Sequence, residues 1–110
     1  MKELTLREVC EKYNVSRRAI QGYEKIGLVK PTGKTSRGYL LYDLTAQQTI
    51  QKIKLYQDFG FKIKEIKLLF DSPEPHQIAI LLQRLNEMKA QKIKIDKLIK
   101  TLEKIITDKK

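Results

Sequence analysis

The chain is poor in the residues that most often carry catalysis, metal binding or disulfide bonds. Its 110 residues include one cysteine, one histidine and no tryptophan. The single Cys10 excludes an internal disulfide and is typical of a reducing compartment; within an apolar helical stripe it is expected to be a small core residue. His76 is the only histidine, and no cysteine lies near it in the sequence; one histidine does not make a metal site. We therefore expect neither a metal ion nor a cofactor.

Long apolar runs and catalytic motifs are missing as well. No run approaches the roughly 20 residues that span a bilayer, and no apolar signal-peptide segment opens the chain. There is no pair of carboxylates, no histidine beside a nucleophile and no glycine-rich phosphate loop after a strand. We expect a cytoplasmic protein that contacts no membrane and is not an enzyme. Glu24, a lone acid, is expected to be structural.

Acidic residues are scarce relative to basic ones. Lys and Arg number 23 against 13 for Asp and Glu, which gives a net charge of +10. Such an excess indicates a polyanionic partner, most often nucleic acid; the alternative is a lysine-rich surface that keeps the protein soluble. The length allows one domain with an appended helix.

Two short helices separated by a two-residue turn are predicted near the start of the chain. Thr5 and Glu8 have the spacing of a capping box ahead of an apolar stripe. Ser16 is placed to cap the second helix. Gly27 ends it, because glycine adopts the left-handed conformation without steric cost. This pattern predicts a helix–turn–helix.

Two arginines follow the cap of the second helix. Arg17 and Arg18 lie in the first turn, where the contacting side chains of a DNA reader lie. Ser16 and Gln21 are expected on the same outward face, while Ile20 turns inward. Neighbouring residues on a helix point about 100° apart. We expect Arg18 to contact bases, with Arg17 as the alternative.

Residues 29–42 differ in character from the helices around them. Pro31, Gly33 and Gly38 exclude a helix, and the following aromatic and branched residues favour a strand. We predict a hairpin whose basic, hydroxyl-rich tip suits phosphate oxygens; the alternative is an ordinary solvated loop. The candidate contacts in this segment are Lys30, Lys34, Thr35, Arg37 and Tyr39.

Two further helices and one long helix complete the predicted chain. The third covers residues 45–59, and a fourth follows Gly60. Two prolines within residues 71–75 then break the helical pattern. The predicted divisions are a DNA-binding domain at 1–71, a linker at 72–75 and a dimerisation helix at 76–110.

The long helix, predicted over residues 76–107, has the apolar spacing of a coiled coil, with alternating steps of three and four broken only at Lys92. A helix of about 30 residues is roughly 45 Å long, too long to fold back onto a small domain. We expect it to pair with a second copy of itself. The predicted seam residues are Ile78, Leu81, Leu85, Met88, Ile95, Ile99, Leu102 and Ile106.

In this order, these segments resemble the MerR family of winged helix-turn-helix transcription regulators. The matching blocks are Val15-Ser16, Arg18, Ile20, Tyr23-Glu24 and Ile26-Gly27-Leu28, then Gly38-Tyr39 and Tyr42, then Gly60-Phe61 and Glu65-Ile66. The resemblance covers residues 4–71 by motif and 75–107 by architecture. It implies a mainly α fold: a winged helix-turn-helix of four short helices plus a β-hairpin wing, followed by a long dimerisation helix.

The same resemblance implies what the protein binds. It implies a homodimer with antiparallel dimerisation helices lying across a palindromic promoter in double-stranded DNA, associated with the nucleoid, with RNA polymerase as a further partner. Tyr23 and Lys62, which lie in or beside the matched blocks, complete the candidate DNA site. A lysine at a helix N-terminus is unfavourable unless a phosphate offsets its charge.

Four positions depart from the family pattern, and one of them is Lys62, which stands where the family often has a serine cap. Leu40 stands where the family usually has an arginine, and Gln21 and Gly22 replace an arginine and an aromatic residue. Gly22 is therefore expected to remove a side chain from the DNA-facing region. An operator sequence cannot be copied from relatives.

Two alternatives to a regulator stay open. One is an architectural or recombination accessory protein, similar to an excisionase, that bends DNA without controlling a promoter. Such proteins usually lack a long coiled coil, so residues 76–107 favour the regulator. The other is a protein–protein module whose basic face only maintains solubility. Since no domain follows the long helix, we expect a short member without an effector-binding domain.

Overall fold

The computed structural model describes residues 2–110. Within this range lie five helices and three short strands, and the mainly α architecture with a small wing confirms the predicted fold class. In chain order they are β1 (Leu4–Thr5), α1 (Leu6–Tyr13), α2 (Arg17–Lys25), β2 (Gly33–Lys34), β3 (Leu40–Tyr42), α3 (Leu44–Asp58), α4 (Ile63–Asp71) and α5 (Glu74–Asp108). The chain divides into two compact units between Asp71 and Ser72.

The predicted helix signals of the helix–turn–helix are confirmed. The Thr5 hydroxyl accepts a hydrogen bond from the Glu8 backbone N–H at 3.3 Å, and the Glu8 carboxylate accepts one from the Thr5 N–H at 2.9 Å. The bond from the Thr5 backbone lowers the pKa of Glu8. The Ser16 hydroxyl accepts from the Ala19 N–H at 3.0 Å. Gly27, just beyond α2, has a φ of +86°, so a left-handed residue ends the helix as expected.

A third strand joins the hairpin that the sequence predicts. The antiparallel sheet has the order β1–β3–β2, with Leu4 opposite Tyr42 in one pair and Lys34 opposite Leu40 in the other. β1 is only two residues long, too short to show the alternating pattern by which a strand is recognised. Thr5 both ends this strand and caps α1.

The core of the first unit is built around α3. Ile50 and Ile53 of α3 are fully buried, as is Ile66 of α4. The helix–turn–helix and the wing bury side chains against them. These are Val9, Val15, Ile20, Tyr23 and Tyr42.

The long helix α5 begins at Glu74, two residues before the predicted start at residue 76. Pro75 lies in its first turn, where a missing N–H costs nothing because no carbonyl precedes it in the helix. No described residue of α5 is buried. Leu81 is half-buried, and the other predicted seam residues are 39–57% exposed. No helix in residues 2–110 is long and apolar enough to cross a bilayer.

Gly22 and Gly27 form a matched pair for testing α2. A Cβ at Gly22 would lie 3.9 Å from Ile63 Cδ1 of α4, so this position faces the protein core and not, as the sequence suggests, the DNA-facing side. Because the contact is an ordinary one, Gly22→Ala should stabilise the protein by about 1 kcal/mol through helix propensity. Gly27→Ala should destabilise it by about 1–2 kcal/mol, because φ is positive there. Chemical denaturation of both variants measures the change in the free energy of unfolding. A change of the same sign in both variants would contradict these roles.

Candidate nucleic-acid interface

The outward face of α2 carries side chains without partners. Ile20 and Tyr23 turn into the core, while Arg17, Arg18 and Gln21 are exposed. Among residues 2–110, neither arginine takes part in an ion pair or a side-chain hydrogen bond. Both guanidinium groups therefore keep all their donors for a ligand. Arginine donors in this fork arrangement suit phosphates and guanine edges.

Tyr23 does not belong to this face. Its side chain is 2% exposed, and its hydroxyl donates a hydrogen bond to Gln57 Oε1 at 2.6 Å. Burial raises the pKa of Tyr23. The expectation that Tyr23 contacts DNA is therefore wrong: it fastens α2 to α3 from the inside.

Lys25 is a basic residue on α2 that the matched motifs do not single out. It is exposed, and it follows Arg18 by seven residues and Gln21 by four. Residues at these spacings share one helix face. Arg18, Gln21 and Lys25 thus form a single stripe, a relation that helical periodicity alone could have shown.

The turn before α2 is held by a lysine from α3. Lys54 Nζ donates to the backbone carbonyl of Tyr13 at 2.8 Å and also to that of Asn14. These carbonyls end α1 and lack partners within the helix. Asn14 itself is left-handed, with a φ of 52°. Lys54 therefore stabilises the turn that sets where α2 begins, although nothing in the sequence around it indicates this.

A groove of about 870 Å³ runs between the start of α1, the start of α2 and the wing. It brings Ser16, Arg17 and Tyr39 together and adds Arg7, which the sequence patterns do not indicate. Arg7 pairs with Glu11 at 3.3 Å, with both side chains exposed; such a pair is weak and can exchange for another anion.

Cys10 also lines this groove. Its side chain is half-buried and packs against the core, in agreement with the expected role. Burial raises the pKa of the thiol, so the thiol stays protonated near neutral pH. In the described part of the chain, no three histidine, cysteine or acidic side chains cluster in a way that could hold a metal ion.

The tip of the wing is held by its own backbone, and its residues Lys34, Thr35 and Arg37 do not line the groove. The Thr35 N–H donates to the Tyr39 carbonyl at 2.9 Å, and the Tyr39 N–H donates to the Thr35 hydroxyl at 3.1 Å. Gly38 has a φ of +86° and completes the turn. Lys34 and Arg37 are exposed, as is Lys30 just before the wing. Thr35 is half-buried, so its first role is to shape the tip.

A side-chain hydrogen bond joins the wing to α2. Tyr42 of β3 is fully buried, and its hydroxyl donates to a carboxylate oxygen of Glu24. Burial, followed by this bond, raises the pKa of Tyr42. This bond fixes the base of the wing against α2. Glu24 therefore has a structural role, as expected from the sequence.

Lys62 stands at the start of α4, as expected. Its backbone N–H donates to Glu65 Oε1 at 2.7 Å, so the carboxylate that caps the helix also offsets the unfavourable charge at this terminus. The Lys62 side chain is exposed and available to an anion.

Removal of the Tyr42 hydroxyl should loosen the wing. Tyr42→Phe leaves the Glu24 carboxylate without its donor in a half-buried position. The free energy of unfolding should fall by about 1.5–3 kcal/mol, the range for hydrogen bonds to charged groups. Tyr39→Phe is the control, since Tyr39 is 59% exposed and should change stability by no more than about 0.5 kcal/mol. Equal losses in urea unfolding would contradict the assigned role of Tyr42.

Comparisons with known proteins agree with this geometry. A family model described as MerR HTH family regulatory protein matches residues 4–72. The HTH-type transcriptional activator mta of Bacillus subtilis is 29% identical over 101 residues, which cover 92% of this chain and 39% of the relative. The Multidrug-efflux transporter 2 regulator of the same organism is 32% identical over 106 residues, which cover 96% and 37%. The chain thus spans about two fifths of the length of these curated relatives.

Solved structures show the same fold. The N-terminal part of the Bacillus subtilis multidrug transporter activator, MtaN, has a TM-score of 0.70 at 28% identity, covering 94% of this chain and 97% of that one. HiNmlR, described as a MerR family regulator lacking the sensor domain and bound to promoter DNA, has a TM-score of 0.72 at 17% identity, covering 89% and 79%. With a family model that matches well over half of its length and a helix–turn–helix, wing and long helix in the same order, this chain belongs to the MerR family of helix–turn–helix regulatory proteins.

Proposed function

We propose that this chain binds a palindromic promoter site in double-stranded DNA as a homodimer and regulates transcription there. The observation that carries the proposal is the start of α2, where Arg17 and Arg18 are exposed and unpaired beside a basic wing. Family membership supports the proposal, as does the promoter DNA bound to a protein of the same fold. The two relatives described above are named as a transcriptional activator and a transporter regulator, which favours regulation over a DNA-bending accessory role.

In this proposal α2 enters the major groove with its N-terminal turn first. Arg17 lines the groove beside the wing, next to Tyr39, whereas Arg18 does not. Arg18 shares its stripe with Gln21 and Lys25. We therefore assign the base contacts to Arg18 and Gln21, and a phosphate beside the wing to Arg17. The Ser16 hydroxyl, already a cap acceptor, can still donate to a phosphate.

The wing and α4 supply phosphate contacts on either side of α2. Lys34 and Arg37 are exposed charges on a hairpin tip, and a tip of two charged side chains suits the DNA backbone. Lys30 and Tyr39 extend this surface along the wing, and the Thr35 hydroxyl can donate to a phosphate. Lys62 adds a charge at the start of α4. The net charge of +10 favours association with DNA at low salt.

The exposed seam of α5 supports the proposed dimerisation. Seven large apolar side chains of the seam are 39–57% exposed in one chain, and a second copy would remove them from water. A two-fold dimer matches a palindrome, because each subunit reads one half-site. RNA polymerase at the same promoter is the further partner that the family resemblance implies. Such a protein would act in the cytoplasm, at the nucleoid.

The division of labour between α2 and the wing can be tested with two single variants. Arg18→Ala should weaken binding to a selected operator by about 1–3 kcal/mol and change binding to random DNA much less. Lys34→Ala should weaken both by a similar factor and reduce the slope of log affinity against log salt by about one unit. Fluorescence anisotropy with operator and random duplexes at several salt concentrations measures both effects.

The matched control is Lys100→Ala on the exposed surface of α5, which should change neither affinity nor salt slope. The assignment is wrong if Arg18→Ala preserves the ratio of specific to random affinity while Lys34→Ala abolishes it.

The dimer can be tested at its seam. Leu85→Asp combined with Ile99→Asp places charges where apolar side chains should pack, so the chain should become monomeric and lose tight operator binding at the same time. Gln83→Asp, at a position facing away from the seam, is the control and should stay dimeric. Analytical ultracentrifugation gives the mass. A monomeric variant that still bound the full palindrome tightly would contradict the proposal.

A further inference from the structure

The family resemblance implies that two copies of α5 run antiparallel, but it does not fix which residues of the two helices lie opposite each other. We infer that register: Met88 of each chain lies opposite the partner's Ile99, and Lys89 lies opposite the partner's Asp96. This inference rests on the proposed homodimer and deepens it by specifying the contacts that the second copy makes. The charged side chains within and beside the seam carry it.

A parallel pair would bring like charges together. In parallel helices each seam position meets its own copy, so Lys92 would face the partner's Lys92 inside an otherwise apolar seam. The flanking rows would also place Arg84 next to the partner's Lys89. Two unpaired ammonium groups facing each other in a dry contact are costly. Parallel pairing is therefore disfavoured by the sequence of α5 itself.

Two antiparallel registers bury the apolar seam almost equally. In the first, Leu85 lies opposite the partner's Leu102, and Lys92 lies opposite the partner's Ile95. In the second, one heptad away, Leu85 meets the partner's Ile95, and Met88 meets the partner's Lys92. In each register, only one residue at an end of the seam has no apolar partner on the other helix. Burial of apolar surface therefore does not choose between them.

The flanking charges do choose. Lys89 and Asp96 lie in the row of residues that flanks one edge of the seam. In antiparallel helices this row lies next to the same row of the other helix, so opposite charges in it favour one register. In the first register Lys89 meets the partner's Asp96, twice by symmetry. In the second, Lys89 meets the partner's Lys89. Only the first register pairs opposite charges.

Both flanking residues are free to make this contact. Lys89 and Asp96 are exposed, and in residues 2–110 neither forms an ion pair within its own chain. Arg84, by contrast, pairs with Glu87 at 3.3 Å on its own helix. Lys92, opposite an isoleucine, can lay its stem along the seam and extend its charge to water.

Engineered disulfides distinguish the registers in the full chain. In a Cys10→Ala background, Met88→Cys with Ile99→Cys should form a covalent dimer on oxidation. Met88→Cys with Lys92→Cys should not, because a shift of one heptad moves residues by about 10.5 Å and disulfides need Cα atoms within about 7 Å. Met88→Cys alone reports parallel pairing. Non-reducing gels of oxidised samples give the result.

A charge exchange tests the same register without cysteine. Lys89→Glu and Asp96→Lys should each weaken dimer association several-fold, and the double exchange should restore it. Lys100→Glu, facing away from the seam, is the control. A dimer that cross-links through Met88→Cys with Lys92→Cys, or an exchange without rescue, overturns the register and leaves the dimer standing. A wild-type chain that sediments as a monomer overturns the dimer itself.

Discussion

The buried amide of Gln47 holds the parts of the DNA-binding unit in place. Gln47 is 1% exposed, and its Oε1 accepts a hydrogen bond from the Tyr13 hydroxyl at 2.9 Å. Its Nε2 donates to the carbonyls of Tyr42 at 2.8 Å and Lys2 at 3.2 Å. One side chain of α3 thus fixes α1, the wing strand and the start of the chain. Since a buried amide without partners is costly, these elements are held together.

The consequence for the site is a fixed scaffold beneath an exposed, charged surface. The Tyr23–Gln57 bond, the Lys54 cap and the Tyr42–Glu24 bond lie on the inner side of the helix–turn–helix and wing. The outer side keeps arginines and lysines that have no partner in the described chain. The hydrogen bonds that hold the scaffold together thus lie inside it, and the cations on its surface remain available. Such a surface is suited to binding the DNA backbone, because each cation can exchange water for a phosphate.

Patterns between residues close in the sequence predict much of this fold, but contacts between residues far apart in the sequence could not be predicted. The Thr5–Glu8 box, the Ser16 cap and the Gly27 stop depend on residues three or four apart, so spacing reveals them. The family resemblance alone includes Tyr23 in the DNA site, but Tyr23 follows Ile20 by three residues, and both lie on the buried face of α2. β1, the Lys54 cap and the Gln47 network join residues dozens of positions apart, and single-sequence spacing carries no record of such pairs.

The central claim is that an unpaired, capped α2 reads DNA sequence in the presence of a basic wing. The most direct measurement is a titration of the full chain with its selected operator and with a scrambled duplex of equal length, at two salt concentrations. The account predicts affinity for the operator at least about 10³-fold higher than for the scrambled duplex, with both affinities falling steeply as salt rises. Equal affinity for the two duplexes, or binding that salt does not change, would contradict it.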